Sequence, residues 1–274
     1  VSEGIGRRRI GFLGCGAMAQ ALAGGLAAAG VPRDQLRGAD PDAEARRRFS
    51  ERTGLAAGAD NGEVVGASDV VVLAVKPGVV SEVLERLRGS GDLARPLWVS
   101  IAAGVPIARI TAALPSGARV VRAMPNTPAL VRAAATALCA NAAATREDRA
   151  AAESLFQAVG VVWEAPTEAL LDAVTGLSGS GPAYVFLILE ALGDAGVRAG
   201  LPREASYRLA FQTVYGAAKL AIETGEHPAA LKDRVTSPGG TTIAGLERLE
   251  ARRVRAALYE AVAAAAARSR ELRG

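Results

Sequence analysis

Two glycine-bearing segments have residue types and spacing suited to holding anions. Gly14-Cys15-Gly16-Ala17-Met18-Ala19 has the form G-x-G-x-x-A. In that pattern the first glycine allows a tight turn, the second lets a pyrophosphate approach the backbone, and the small last residue lets a helix pack on a strand. A helix opening there adds unpaired N–H groups and the positive end of its dipole. Ser237-Pro238-Gly239-Gly240-Thr241-Thr242 lies between helical patterns and initiates the second of them. Its glycines free the backbone to curl, its hydroxyls suit a helix cap, and several N–H groups can converge on a carboxylate. The plain alternative is a turn with a cap, but six specific residues are more than a cap requires. Gly179-Ser180-Gly181-Pro182-Ala183 is similar in style, with Pro182 suited to a first helical turn and glycines that permit close approach.

The chain has one histidine, His227. That excludes a His pair and makes a His-Cys dyad or a Ser-His-Asp triad depend on one residue. His227 precedes Pro228 in a polar connection and reads as structural. Cys15 and Cys139 are the only cysteines; they form no disulfide framework, fit a reducing, cytoplasmic setting, and read as small packing residues. No metal is expected.

The 274 residues, half of them hydrophobic and 22% charged, suffice for a sizeable core and about two domains. Strand candidates at 9–13, 36–39, 69–75, 97–101, 119–123 and 136–140 alternate with helical patterns, including 17–29 and 42–52. The unbroken β-branched run at 69–75 predicts a strand buried on both faces, as in a parallel sheet. Residues 1–165 are therefore expected to form a Rossmann-like, doubly wound α/β domain. Helical periods dominate from 166 to 274, giving an all-α second domain. Its alanine-rich stretch at 256–267 permits close helix approach and points to a homodimer.

Basic and acidic residues number 32 and 28, a net charge of +4, and are interspersed apart from arginine clusters at 7–9, 46–48 and 252–253. Aromatic residues make up 4% of the chain, too few for a base-stacking surface, so no nucleic-acid partner is expected. The basic 7–9 run before an apolar stretch raises an export signal, which the glycine fingerprint explains better. The longest later apolar run, 183–192, is interrupted by Glu190, so no membrane partner is expected.

Ala74-Val75-Lys76-Pro77 and Ala102-Ala103-Gly104 end successive strands, where open α/β sheets place ligands, and belong beside the nicotinamide half of a dinucleotide. The plain alternative for Lys76 is a surface lysine. Asp40 ends the second strand, where a carboxylate accepts from the ribose 2′-OH of NAD and repels the 2′-phosphate of NADP. Arg46, Arg47 and Arg48 either offset that repulsion or form a solvated helix face.

The 11–19 run, 74–77, Met124-Pro125-Asn126-Thr127-Pro128, Gly179 to Tyr184 and Ser237 to Thr242 together resemble pyrroline-5-carboxylate reductase, collinearly over nearly the whole chain. The resemblance implies a Rossmann domain, a helical domain forming an interlocked dimer, rings of dimers, and reduction of 1-pyrroline-5-carboxylate to L-proline by NADPH or NADH, with NADPH slightly ahead. It places Leu13, Gly14, Cys15, Gly16, Ala17, Met18 and Asn61 on the dinucleotide, along with 74–77 and 102–104. It places Glu168, Val235, Gly239, Gly240, Thr241 and Thr242 around the small-molecule substrate. Ser237 belongs to the same carboxylate loop, and the Thr242 hydroxyl would hydrogen-bond the ring nitrogen. Ala17 departs from a polar residue common in the family's phosphate loop, and Asp40 stands where NADP-preferring members tend to be neutral. Two readings compete: a β-hydroxyacid dehydrogenase, for which Lys219 is the best base, and a sensor that binds NAD(P)H without turnover.

Overall fold

Val70–Leu73 is four consecutive apolar residues without alternation, and all four are buried. Val70 and Val72 join one apolar cluster, while Val71 and Leu73 join a second. Leu97 and Val99 likewise face the first cluster and Trp98 the second. A strand alternates its side chains between faces, so a uniformly apolar run requires cover on both. Helices supply that cover in a computed structural model that describes residues 5–273.

In chain order the elements are β1 (Ile10–Leu13), α1 (Ala17–Ala28), β2 (Leu36–Ala39), α2 (Ala43–Thr53), β3 (Ala56–Gly58), α3 (Asn61–Ala67), β4 (Val70–Leu73), α4 (Val80–Arg86), β5 (Leu97–Ser100), α5 (Ile107–Ala113), β6 (Arg119–Met124), β7 (Ala134–Ala140), α6 (Arg146–Gln157) and β8 (Gly160–Glu164). Then follow α7 (Leu170–Val174), a π-helical stretch Thr175–Gly179, α8 (Gly181–Arg198), α9 (Arg203–Thr224), α10 (Pro228–Arg234), α11 (Thr241–Ala251) and α12 (Val254–Arg273). The sheet order is β3-β2-β1-β4-β5-β6-β7-β8. From β3 to β6 all pairs are parallel, the doubly wound arrangement expected.

The far edge departs from the simple series. β7 runs antiparallel to β6, with Arg122 opposite Cys139, and β8 pairs in parallel with β7. The connection between β6 and β7 holds only a 3₁₀ turn, Thr127–Val131. A parallel crossover needs a dozen or more residues, so an antiparallel return is the available solution. β3 and β8 are additional strands, the first formed by Ala-Ala-Gly where the sequence suggests only a loop.

The chain forms two compact units, one running to Ser180 and regaining Ala263 onward, the other Gly181–Val262. The boundary expected at 165/166 falls between β8 and α7, whereas the first unit continues through α7, whose buried Leu171 packs with Ala137, Cys139 and Ala165. The end of α12 is tied to the same unit: the Ser269 hydroxyl donates to Asp172 Oδ1 at 2.8 Å, and Arg273 pairs with Asp172 at 3.3 Å.

In the second unit α8 and α9 approach through small residues. Ser206 Oγ donates to the Gly193 carbonyl at 2.6 Å, and a Cβ on Gly193 would stand 2.8 Å from the Tyr207 ring. Large apolar side chains are left exposed in the single chain, among them Phe186, Leu187, Phe211, Ile222 and Tyr259, with Ile222 at 81% exposure. A surface of that kind marks a protein interface. Among the described residues, no helix is long and apolar enough to cross a membrane.

Candidate active site

The glycine loop leaves β1 and enters α1 as its motif predicts. Gly14 has φ +97°, and a Cβ there would stand 2.7 Å from the Ala74 carbonyl oxygen, so glycine is required. Its N–H donates to the Ala39 carbonyl at 2.7 Å, and the Cys15 N–H donates to Asp40 Oδ2 at 2.9 Å. These two donors therefore brace the loop and are not free for a phosphate. The donors still open are those of the first turn of α1: Gly16 is an N-cap without a side-chain bond, and Gly16 and Ala17 are exposed. A Cβ on Gly16 would meet nothing within 4 Å, the open space that a close backbone approach needs. The side chains of Leu13 and Cys15 are buried, so only their backbone faces the loop. Burial also pushes the Cys15 thiol up to about 12, with Asp40 adding to the effect, so the group is a protonated packing residue.

Beside the loop, at the carboxyl ends of β1, β2 and β4, lies a groove of about 660 Å³. Of the residues assigned to the dinucleotide from the sequence, Gly14, Gly16, Asp40, Asn61, Ala74, Val75 and Lys76 line it together. Asp60, Val79, Glu82, Val83 and Arg86, which the sequence motifs do not point to, are among the other residues of its wall. Asp60 was recognisable as a helix cap: it precedes α3 and its Oδ1 accepts from the Gly62 N–H at 2.7 Å. The Asn61 Oδ1 is buried without a hydrogen-bond partner, an acceptor that a ligand donor would satisfy. The space over Gly16 and this orphaned acceptor fit a dinucleotide. Ala17, Met18 and Pro77 are not among the lining residues, nor are Ala102, Ala103 and Gly104. Gly104, at φ +73°, is instead packed beside Leu272 at the end of α12.

The arginine run is engaged elsewhere. Arg46 donates to the carbonyls of Asp40 and Pro41 at 2.7 and 2.9 Å, while Arg47 pairs with Glu44 and Glu51, and Arg48 with Glu44. For Arg47 and Arg48 the solvated helix face is the observed arrangement. None of the three lines the groove.

Glu168 is held by unit-one elements that its sequence context does not suggest. Its Oε1 accepts from the Ile107 N–H at the start of α5 and from Arg122 Nη1, both at 2.8 Å. Arg122 sits on β6 with 1% of its side chain exposed, and its Nη2 is buried without a partner. One carboxylate oxygen thus caps a helix and neutralises a buried guanidinium. The signal for Arg122 was present in the sequence as a charge inside the apolar run Val120 to Ala123, which demands a buried partner.

In the second unit Ser237–Gly240 forms a turn, with the Gly240 N–H donating to the Ser237 carbonyl at 3.1 Å and Gly239 at φ +65°. Gly240 is the N-cap of α11 and has no side-chain cap bond. The hydroxyl cap expected from the sequence is therefore absent, because glycine holds the cap position. First-turn N–H groups of α11 are left without a capping acceptor. Gly239 and Gly240 line a groove of about 570 Å³, whereas Ser237 and Val235 are exposed beside it. His227 is structural, as expected: it is the N-cap of α10 and its Nδ1 accepts from the Ala229 N–H at 3.2 Å. Lys219 pairs with Glu223 at 3.3 Å and is half exposed.

A doubly wound sheet with a glycine loop at its strand ends, followed by a helical unit, defines a dinucleotide-dependent oxidoreductase of the Rossmann class. Residues 168–272 match the family described as pyrroline-5-carboxylate reductase dimerisation, and residues 9–104 match NADP oxidoreductase coenzyme F420-dependent. The chain is 49% identical to a pyrroline-5-carboxylate reductase of Synechocystis, covering 96% of this chain and 98% of the relative. It is 42% identical to the Escherichia coli protein of that name over 97% and 98% of the two chains. The solved structure of a pyrroline-5-carboxylate reductase from Coxiella burnetii superposes with a TM-score of 0.91 at 39% identity, covering 97% and 99%. A Plasmodium falciparum pyrroline carboxylate reductase with NADP bound gives 0.88 at 33%, covering 98% and 100%. The chain belongs to the pyrroline-5-carboxylate reductase family.

Proposed function

We propose that the protein reduces the C=N bond of 1-pyrroline-5-carboxylate to give L-proline, with NADPH or NADH as reductant. The observation that carries this reading is the match to reductases of that name along nearly the whole chain. When bound, the dinucleotide supplies the hydride that adds to the imine carbon. A proton on the ring nitrogen makes that carbon electrophilic, so the protein needs no histidine base and its main task is orientation at about 3–3.5 Å.

The groove beside the glycine loop holds the dinucleotide, with the Gly16 to Met18 backbone at the pyrophosphate and Asn61 as an acceptor. Residues 74–77 and 102–104 stand toward the nicotinamide, the latter as a backbone wall braced by Leu272. Ser237, Gly239, Gly240 and Thr241 hold the substrate carboxylate through backbone N–H groups, with Val235 beside them. The Thr242 hydroxyl hydrogen-bonds the ring nitrogen and places its proton. Glu168, with Oε1 engaged, serves the substrate only through Oε2.

Residues 1–165 thus act as the dinucleotide domain, and 166–274 as the substrate and dimerisation domain. The exposed apolar helices of the second unit support a homodimer, and rings of dimers follow from the family resemblance. The low aromatic content argues against nucleic acid, and two unpaired cysteines fit the cytoplasm. For the dehydrogenase alternative, the best base, Lys219, stands half exposed on α9 in a surface pair with Glu223.

Removing a group that places a proton in the transition state costs about 10²-fold or more. Thr242→Ala is therefore expected to lower kcat/KM for pyrroline-5-carboxylate by about 10²-fold while leaving dinucleotide affinity unchanged. Wild-type kcat/KM in that variant would remove the hydroxyl from the mechanism. Turnover of hydroxy acids in preference to the imine would select the dehydrogenase reading, and dinucleotide binding without turnover the sensor.

A further inference from the structure

We propose that Asp40 makes the protein selective for NADH over NADPH. The inference rests on the dinucleotide reading of the groove and runs against the slight NADPH preference implied by the family resemblance.

Asp40 follows β2 and lines the groove, the place where a Rossmann site meets the adenosine ribose. Its carboxylate is held in position from two sides: Oδ2 accepts from the Cys15 N–H and Oδ1 from the Asp42 N–H, each at 2.9 Å. A carboxylate has about four lone-pair positions, so two remain for ribose hydroxyls. Swinging away to admit a 2′-phosphate would break both backbone bonds and release the glycine loop. The carboxylate is a fixed negative charge, and a phosphate monoester adds about −1.5 to −2 beside it.

Among the described residues, no arginine lines this end of the groove, and the nearest, Arg46, already commits its Nη1 to backbone carbonyls. Arg46 is drawn back onto the carbonyls of Asp40 and Pro41, and Arg47 and Arg48 are paired along α2. The ionisable groups that do line the groove are Asp40, Asp60 and Glu82 against Lys76 and Arg86, and Arg86 is paired with Glu82 at 2.5 Å. Lys76 follows β4, away from β2 across β1. NADP sites instead place an arginine where the 2′-phosphate sits.

The test is isothermal titration of the full chain with NADH and with NADPH in the absence of substrate, alongside kcat/KM with each. NADH is expected to bind at least about tenfold more tightly, and Asp40→Asn and Asp40→Ser to narrow the ratio at least about tenfold, chiefly by tightening NADPH. Because either substitution also loosens the glycine loop, the ratio is the diagnostic quantity, not the absolute affinity. Equal or tighter NADPH binding by the wild type would overturn the inference, and an unchanged ratio in both variants would remove Asp40 as its cause. NADH-selective binding without imine turnover would leave the inference standing and refute the reductase reading instead.

Discussion

Gly14→Ala is expected to lower both thermal stability and dinucleotide affinity, whereas Gly16→Ala lowers affinity alone. The two glycines lie in one loop but are required for different reasons. Gly14 has φ +97°, and an added Cβ would stand 2.7 Å from the Ala74 oxygen and 2.9 Å from its carbonyl carbon. Both atoms are backbone of Ala74, the residue after β4, whose N–H donates to the Leu13 carbonyl at 2.8 Å, so they cannot yield without disturbing the end of the β1–β4 pairing. Strained backbone of this kind costs about 1–3 kcal/mol before any clash is counted. A loss of about 3 kcal/mol corresponds to roughly 6–12 °C in Tm for a chain of this size. Gly16 has φ −69° and nothing within 4 Å of an added Cβ, so alanine fits the unliganded fold. On the proposed placement of the dinucleotide, the same methyl fills the space through which its pyrophosphate approaches. Calorimetric melting and dinucleotide titration of both variants separate the effects; a Gly16→Ala protein with normal affinity would contradict the placement of the phosphates.

Glu168→Ala is expected to destabilise the fold by about 3–5 kcal/mol, the usual cost of leaving a buried charge unpaired. Arg122 is 1% exposed, its Nη2 already lacks a partner, and Glu168 Oε1 is the carboxylate on its Nη1. Removal also leaves the Ile107 N–H without its acceptor. Glu168→Gln keeps an acceptor oxygen for both donors but loses the charge, so its loss is expected to be smaller. Denaturant unfolding measures the difference. If Glu168→Ala unfolded like the wild type and raised only the KM for the imine, Glu168 would be a substrate residue without a structural role.

Most of the first unit was legible because its strands are uniform apolar runs closed by glycine or proline. The run at 69–75 contains the strand Val70–Leu73 for that reason, while Leu36–Ala39 is a strand despite Arg37, and Gly14 and Gly16 occupy the turn their motif requires. β3 was not legible: Ala56–Gly58 has no apolar pattern, and pairing with β2 alone makes it a strand. β8 differs: its Val161-Val162-Trp163 run carries a strand signal, but it is an edge strand that leaves Val161 and Trp163 70% and 50% exposed in the single chain.

The site shows the same division. Backbone conformation and helix starts follow from local residue types. The bonds from Cys15 to Asp40 and from Arg122 to Glu168 join residues far apart in sequence, so local pattern is silent on them. Those long-range bonds decide what Asp40 and Glu168 do. One carboxylate braces the glycine loop, and the other neutralises the buried Arg122 of β6 while capping the start of α5.

The most direct measurement is steady-state oxidation of NADH and NADPH by the full chain with 1-pyrroline-5-carboxylate, with product analysed alongside. The expected result is one L-proline formed per dinucleotide oxidised, with kcat/KM for the imine far above that for any 3-hydroxy acid assayed in the reverse direction. Dinucleotide binding with no imine-dependent oxidation, or hydroxy-acid turnover exceeding it, would contradict the assignment as an imine reductase.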